Sequence, residues 1–256
     1  MNSPLKVFIT GASSGIGMAL AAEYARQGAT LGLVARRVDA LAEFARRFPH
    51  LSISVYSADV RDDAAIADAA SHFIGEHGLP DVVIANAGIS KGVVTGHGDL
   101  ATFREVMDVN YFGMAATFEP FARAMSEARH GTLVGIASVA GVRGLPGSGA
   151  YSASKAAALA YLESLRVEMR PFGVAVVTIA PGYIRTPMTA HNPYPMPFLM
   201  DAERFARKAA GAIARKARFA VFPWPMRVVA ALLSCLPRWL YDRLFEKAPR
   251  KPRGVG

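Results

Sequence analysis

Cysteine occurs once in this chain of 256 residues, at Cys235, so the chain can build neither an internal disulfide framework nor a cysteine-based metal site. The six histidines are scattered without metal-ligand spacing, and no metal is expected. Long apolar runs are also missing. The stretch from Val228 to Pro237 is too short to cross a bilayer as a helix. No apolar run of signal-peptide length precedes the first expected strand, which starts by Leu5, and a reducing cytoplasmic compartment is the expectation. No internal repeat, low-complexity segment or nucleic-acid recognition motif stands out, so nucleic acid is not an expected partner. Cys235 itself lies among leucines and reads as a small core residue.

Apolar material is plentiful. Hydrophobic residues make up 52% of the chain, enough for one large core. Short apolar, β-branched runs near 5–10, 30–35, 52–58, 81–85, 131–137, 174–180 and 218–222 alternate with helical patterns. The helices fall near 15–27, 37–47, 62–77, 99–128, 151–170 and 201–216, the fourth expected to break near Phe112-Gly113. This alternation predicts an α/β fold: a doubly wound (Rossmann) parallel sheet of seven strands with helices on both faces. Gly11, Arg36, Asp59, Asn86, Ser138 and Pro181 all follow predicted strand ends, where such sheets bind ligands.

The first strand runs into Thr10-Gly11-Ala12-Ser13-Ser14-Gly15-Ile16-Gly17 and then an alanine-rich helix. A strand, a glycine-rich turn and a helix N-terminus together suit a diphosphate, because backbone N–H groups and the helix dipole face the anion. Gly11 permits the tight turn, and Gly15 and Gly17 allow close backbone approach. The spacing Gly-x-x-x-Gly-x-Gly differs from the standard dinucleotide fingerprint, and steric needs alone could account for two glycines in such a turn. Further on, Tyr151 and Lys155 in Tyr-Ser-Ala-Ser-Lys are four residues apart, on one helical face. An ammonium beside a phenol favours the phenolate and lowers its pKa from about 10, which suits proton transfer near neutral pH. Such a pair can also be an ordinary amphipathic one; the serine upstream, Ser138, is what adds a hydrogen-bond partner for a substrate oxygen.

Together these residues resemble a classical short-chain dehydrogenase/reductase, from about Leu5 to Phe222. The resemblance is carried by Thr10-Gly11-x-x-x-Gly15-Ile16-Gly17, Asn86-Ala87-Gly88, Asn110, Ser138, Tyr151-x-x-x-Lys155 and Pro181-Gly182. It departs at Ala85, where the family often has a second asparagine. The resemblance implies a nicotinamide coenzyme held by Gly11, Ser13, Ser14, Gly15, Ile16, Gly17, Asn86, Ala87 and Gly88, with Asp59 and Val60 near the adenine. Asp59 could equally be a helix N-cap before Asp62. Tyr151 would exchange the proton, and Lys155 would tune it and bond the nicotinamide ribose. Ser138 would orient the substrate oxygen. Asn110 would hold a water linked to Lys155, besides serving local backbone groups at a kink. Pro181-Gly182 would cover the nicotinamide, with Ile184 and Thr186 near its carboxamide.

The second strand ends Ala35-Arg36-Arg37, where an NAD-preferring site usually carries an acid for the ribose hydroxyl. Arg36 and Arg37 at a helix N-terminus suggest a bound anion, and a guanidinium can grip a 2′-phosphate, so NADP(H) is expected over NAD(H). Residues 1–222 read as the catalytic domain, with a substrate lid at about 186–216 that includes His191 and prolines at 193, 195 and 197. Residues 223–256 read as an extension. All of the net charge of +9 arises from residues 201–256, which hold 13 Lys and Arg against 4 acids. The two tryptophans, Trp224 and Trp239, are there as well. Two readings stay open: a segment lying at a membrane interface, or a cover for the substrate pocket or subunit interface. The expected partners are a small carbonyl/alcohol substrate, lipophilic in character, and further copies of the chain, since relatives form dimers or tetramers through the helices near 99–128 and 151–170. A non-catalytic, coenzyme-binding scaffold is the alternative function, against which Ser138, Tyr151 and Lys155 all stand.

Overall fold

The computed structural model describes residues 3–190 and 192–253. Seven parallel strands form one sheet: β1 (Lys6–Thr10), β2 (Thr30–Ala35), β3 (Ile53–Ser57), β4 (Val82–Ala85), β5 (Thr132–Ile136), β6 (Ala175–Pro181) and β9 (Phe219–Phe222). Their order is β3-β2-β1-β4-β5-β6-β9. β1 pairs with β2 on one side and β4 on the other, so the winding reverses beside β1. That reversal opens a crevice above the carboxyl ends of the strands. The inner strands are buried on both faces, which explains their uninterrupted apolar runs.

Helices α1 (Gly15–Arg26), α2 (Asp39–Arg46) and α8 (Ala202–Ala214) bury Leu20, Leu41 and Phe205 on one face. Helices α3 (Asp63–His77), α5 (Gly113–Ala128) and α6 (Gly149–Met169) bury Phe73, Phe118, Phe121 and Leu162 on the other. Asp62 caps α3 by accepting from the Ala65 N–H at 3.0 Å. A short ladder joins β7 (Ile184–Arg185) to β8 (Met200–Asp201), and α7 spans Pro187–Ala190.

The structure corrects three expectations. The helix near 99–128 does not break at Phe112-Gly113: α4 (Leu100–Met107) runs through a π-helical turn, Asp108–Phe112, into α5. The lid is shorter than 186–216, because α8 is a core helix whose Phe205, Ala206 and Ala209 are wholly buried beneath α1. The proline-bearing segment 192–199 holds no helix, as expected, and His191 lies outside the described residues. Cys235 is exposed rather than in the core, since it ends α9 (Trp224–Cys235), a helix that turns only Met226 and Ala230 fully inward. A second tail helix, α10 (Arg238–Phe245), follows and buries Tyr241.

Candidate active site

The chain leaves β1 at Gly11 with φ +67°, a left-handed conformation, and a Cβ there would come within 2.6 Å of the Ala87 Cα. The Asn86 amide donates to the Thr10 and Gly11 carbonyls, each at 3.1 Å, and so ties the first turn to the end of β4. Gly17 packs under this turn, where a side chain would strike the Gly11 carbonyl and the Asn86 amide. Ser14 is extended before α1 and makes no capping bond, and the first turn of α1 holds no acid. The N–H groups of Gly15, Ile16 and Gly17 therefore have no capping side chain to answer them. A helix terminus in that state, approached through glycine, fits a diphosphate.

At the end of β2, Ala35 presents no carboxylate, and the Arg36 guanidinium stands mostly in solvent, 3.9 Å from Asp59. Asp59 is gripped by Arg61 at 2.6 and 3.0 Å, which holds its carboxyl below the usual range, with Arg36 adding to the effect. Asp59 is not the helix cap; Asp62 is. This end of the crevice thus holds a mostly exposed guanidinium beside an acid already held by Arg61.

Ser138 follows β5, and its Oγ accepts from the Ala140 N–H at 3.1 Å, 3.5 Å from the Pro181 carbonyl. Tyr151 and Lys155 project from the first turns of α6. The Lys155 ammonium is nearly wholly buried and donates to the Ile136 carbonyl at 2.8 Å. It lies 5.9 Å from the centre of the Tyr151 ring. Asn110 sits in the π-turn, fully buried: it accepts from the Ile89 N–H at 2.7 Å and donates to the Ile89 carbonyl and Ser154 Oγ, both at 2.9 Å. Ser154 passes the connection to the Tyr151 carbonyl at 2.8 Å. Asn110 is therefore a brace between the end of β4 and α6, with both amide protons used. A Cβ at Gly88 would be 3.2 Å from Asn110 Oδ1 and 3.6 Å from Lys155 Nζ, so glycine leaves the approach to both groups open.

The charge tuning differs from expectation. Burial pushes the Tyr151 phenol up, with the Ser138 hydroxyl pulling it partly back, and the Lys155 charge does not bring it down. Burial also depresses Lys155, to about 8. The reason is tertiary: α6 packs the ammonium against the end of β5, away from water, and the loss of hydration disfavours its charge although the Ile136 carbonyl accepts its hydrogen bond. Tyr151 is thus a protonated acid at neutral pH.

One cleft of about 1270 Å³, its mouth included, gathers Gly11, Ser13, Ser14, Gly15 and Ile16 with Arg36, Arg37, Asp59 and Val60. The same cleft takes in Asn86, Ala87, Gly88, Ser138, Tyr151, Lys155, Pro181, Gly182, Ile184 and Thr186. Of the expected coenzyme-binding residues, only Gly17 stands beneath the cleft rather than in its wall. Ile89, Val109 and Thr189 also line it and were not anticipated, and Met188 lines it from the expected lid. The first two are apolar residues with no local signal. Thr189 could have been read from its Thr-x-x-Thr spacing: its hydroxyl accepts from the Thr186 N–H at 3.0 Å and donates to the Ile184 carbonyl at 2.7 Å.

The tail completes the rim. A Cβ at Gly182 would meet the Met226 side chain at 2.6 Å, so α9 lies directly on the turn after β6. Tyr241 donates to the Gly144 carbonyl, and Arg143 lies 4.4 Å above its ring. Lys251 is buried and donates to the Ser90 carbonyl and Oγ at 2.6 and 3.1 Å, while Arg253 grips Asp99 at 2.8 and 2.9 Å. Residues 250–253 therefore strap the loops at 90–99 and 143–148.

This geometry defines an oxidoreductase with a nicotinamide-binding Rossmann fold, and comparison with known proteins agrees. The chain matches the short chain dehydrogenase family over residues 6–195 and belongs to that family. It is 37% identical over 238 residues to an uncharacterized oxidoreductase of Myxococcus xanthus, covering 91% of this chain and 93% of the relative. It is 35% identical to the cis-4-hydroxycyclohexanecarboxylate dehydrogenase of Sinomonas cyclohexanicum, covering 81% and 82%. A short chain dehydrogenase of Burkholderia cenocepacia in complex with NADP superposes with a TM-score of 0.82 at 26% identity, covering 96% of this chain and 99% of that one.

Proposed function

We propose that this protein is an NADP(H)-dependent oxidoreductase that interconverts a lipophilic secondary alcohol and its ketone. The observation that carries the reading is the shared cleft: Ser138, Tyr151 and Lys155 stand on one wall, with the phosphate turn and Arg36 further along the same crevice. The residues present fit the coenzyme. The capless α1 terminus and the glycine at position 11 suit its diphosphate, and Arg36 beside an acid-free Ala35 suits a 2′-phosphate. When bound, the nicotinamide supplies or accepts the hydride.

This chain's own residues handle the proton and the oxygen. The Ser138 hydroxyl and the Tyr151 phenol converge on the position of the substrate oxygen. Held protonated by burial, Tyr151 gives its proton as charge develops there. Lys155 keeps a positive charge below about pH 8 and is placed to bond the nicotinamide ribose, while the Ser138 hydroxyl favours the phenolate left behind. Asn110 holds α6 in register with the end of β4, which sets the position of both groups.

The substrate end is apolar. Met188 lines it, and Met226 packs against Gly182 in its wall. The name of the Sinomonas relative gives a hydroxycyclohexanecarboxylate as its substrate. An alicyclic alcohol/ketone pair suits the present walls. Exposed Leu100, Phe112 and Val167 on α4, the π-turn and α6 support assembly as a homodimer or homotetramer through these helices. No helix among the described residues is long and apolar enough to cross a membrane.

The test is oxidation of NADPH and NADH across a panel of cyclic ketones, steroids, retinoids and acyl thioesters. The proposal requires turnover with at least one class and preference for NADPH. Tight coenzyme binding with no turnover on any class would support the scaffold alternative instead.

A further inference from the structure

Helix α9 reads Trp-Pro-Met-Arg-Val-Val-Ala-Ala-Leu-Leu-Ser-Cys, with Arg227 its one charged residue. Its inner face, Met226 and Ala230, packs on Val139, Ala180 and Val221. Trp224, Val228 and Leu232, at four-residue spacing, form the opposite face and are 74%, 49% and 66% exposed. On α10, Trp239 and Leu244 continue the apolar surface at 69% and 60% exposure. A helix apolar all round is normally covered on every side. Here one side has no cover among the described residues.

Charge identifies the cover. Arg227, Arg238, Arg243, Lys247 and Arg250 are exposed along this segment against two exposed acids, Asp242 and Glu246, and none of the seven is in an ion pair among the described residues, which leaves the surface cationic. A second copy seated through a two-fold axis would bring these cations against their own kind. An anionic lipid surface offers the reverse: phosphates for the cations, acyl boundary for Val228 and Leu232, and a headgroup layer that suits tryptophan.

We infer that the outward face of α9 and α10 docks on an anionic lipid surface, beside the mouth of the active-site cleft. The inference goes beyond the proposed redox chemistry and stands without it. Because the inner face of α9 touches Gly182, docking would set the substrate mouth next to the lipid that dissolves an apolar substrate.

Trp224 and Trp239 are the chain's two tryptophans, so its intrinsic indole fluorescence reads this surface alone. The full chain is titrated with phosphatidylcholine vesicles, with and without phosphatidylglycerol, and cosedimentation is followed in parallel. The expected result is a blue shift and sedimentation with the anionic vesicles, weakened as salt is raised from about 0.1 to about 1 M. Each near-surface arginine contributes roughly fivefold to partitioning, so replacing Arg227, Arg238 and Arg243 by Gln lowers it roughly 100-fold. Val228→Ser with Leu232→Ser keeps both indoles and also lowers binding. These side chains are exposed, and unchanged coenzyme binding verifies that each variant is folded. Absence of binding to either vesicle, or equal binding with and without phosphatidylglycerol, overturns the inference. So does a blue shift that rises with protein concentration in the absence of lipid, which would assign the face to a second copy.

Discussion

Lys155→Met should make the protein more stable and less active. The ammonium is buried, and its pKa falls from the ordinary 10.5 to about 8. At pH 7 that drop corresponds to roughly 3 kcal/mol of folding free energy withheld by a charge held in the wrong place. Methionine has similar volume and carries no charge, but forfeits the bond to the Ile136 carbonyl, worth about 1 kcal/mol. The net gain at pH 7 is about 2 kcal/mol. The sign with pH follows from the depressed folded value. Between about 8 and 10.5 the unfolded chain binds the proton that the folded chain has released, so wild-type stability gains with rising pH across that window. The advantage of the variant therefore shrinks to nearly zero by about pH 9.5. Urea unfolding of both proteins without coenzyme, at pH 7 and pH 9.5, measures it. A variant less stable than wild type at pH 7, or a gap unchanged at the higher pH, would refute the account of Lys155 as a strained, desolvated cation.

Three other outcomes follow from the site. Tyr151→Phe should lower turnover by about 10²- to 10⁴-fold, the span of a lost general acid, while NADPH affinity by fluorescence titration stays close to wild type. Full turnover in that variant would remove Tyr151 from the mechanism. Arg36→Asp should exchange a guanidinium for a ribose-binding acid and reduce kcat/KM for NADPH roughly 10- to 100-fold, with NADH improved; an unchanged ratio between the two would assign the 2′-phosphate elsewhere. Gly11→Ala places a methyl 2.6 Å from the Ala87 Cα at φ +67°, so coenzyme binding should collapse and thermal unfolding should fall by several degrees, measured on the same preparation.

The parts of the molecule that were legible before folding share a property. The buried strands announce themselves because helices cover both faces and no polar residue interrupts them. The phosphate turn and the Tyr151–Lys155 pair are local patterns, set by a few consecutive residues and one helical turn. Arg36 could be found because it directly follows a strand. The π-turn around Asn110 looked like a break, since sequence periodicity registers the lost phase but not the hydrogen bonds that continue through it. Thr189 was missed because its value lies in bonds to Ile184 and Thr186, one of them to a main-chain carbonyl.

The sequence by itself determined the alternation of strand and helix, the family and the set of residues that meet in one cleft. Apolar periodicity and short motifs are written along the chain. Only the tertiary structure decided how charged Tyr151 and Lys155 are, that α8 belongs to the core and not the lid, and that Cys235 faces outward. It alone placed Lys251 and Arg253 on loops more than a hundred residues earlier. Desolvation and long-range contact depend on what the whole fold brings alongside a group, and no local pattern carries that information.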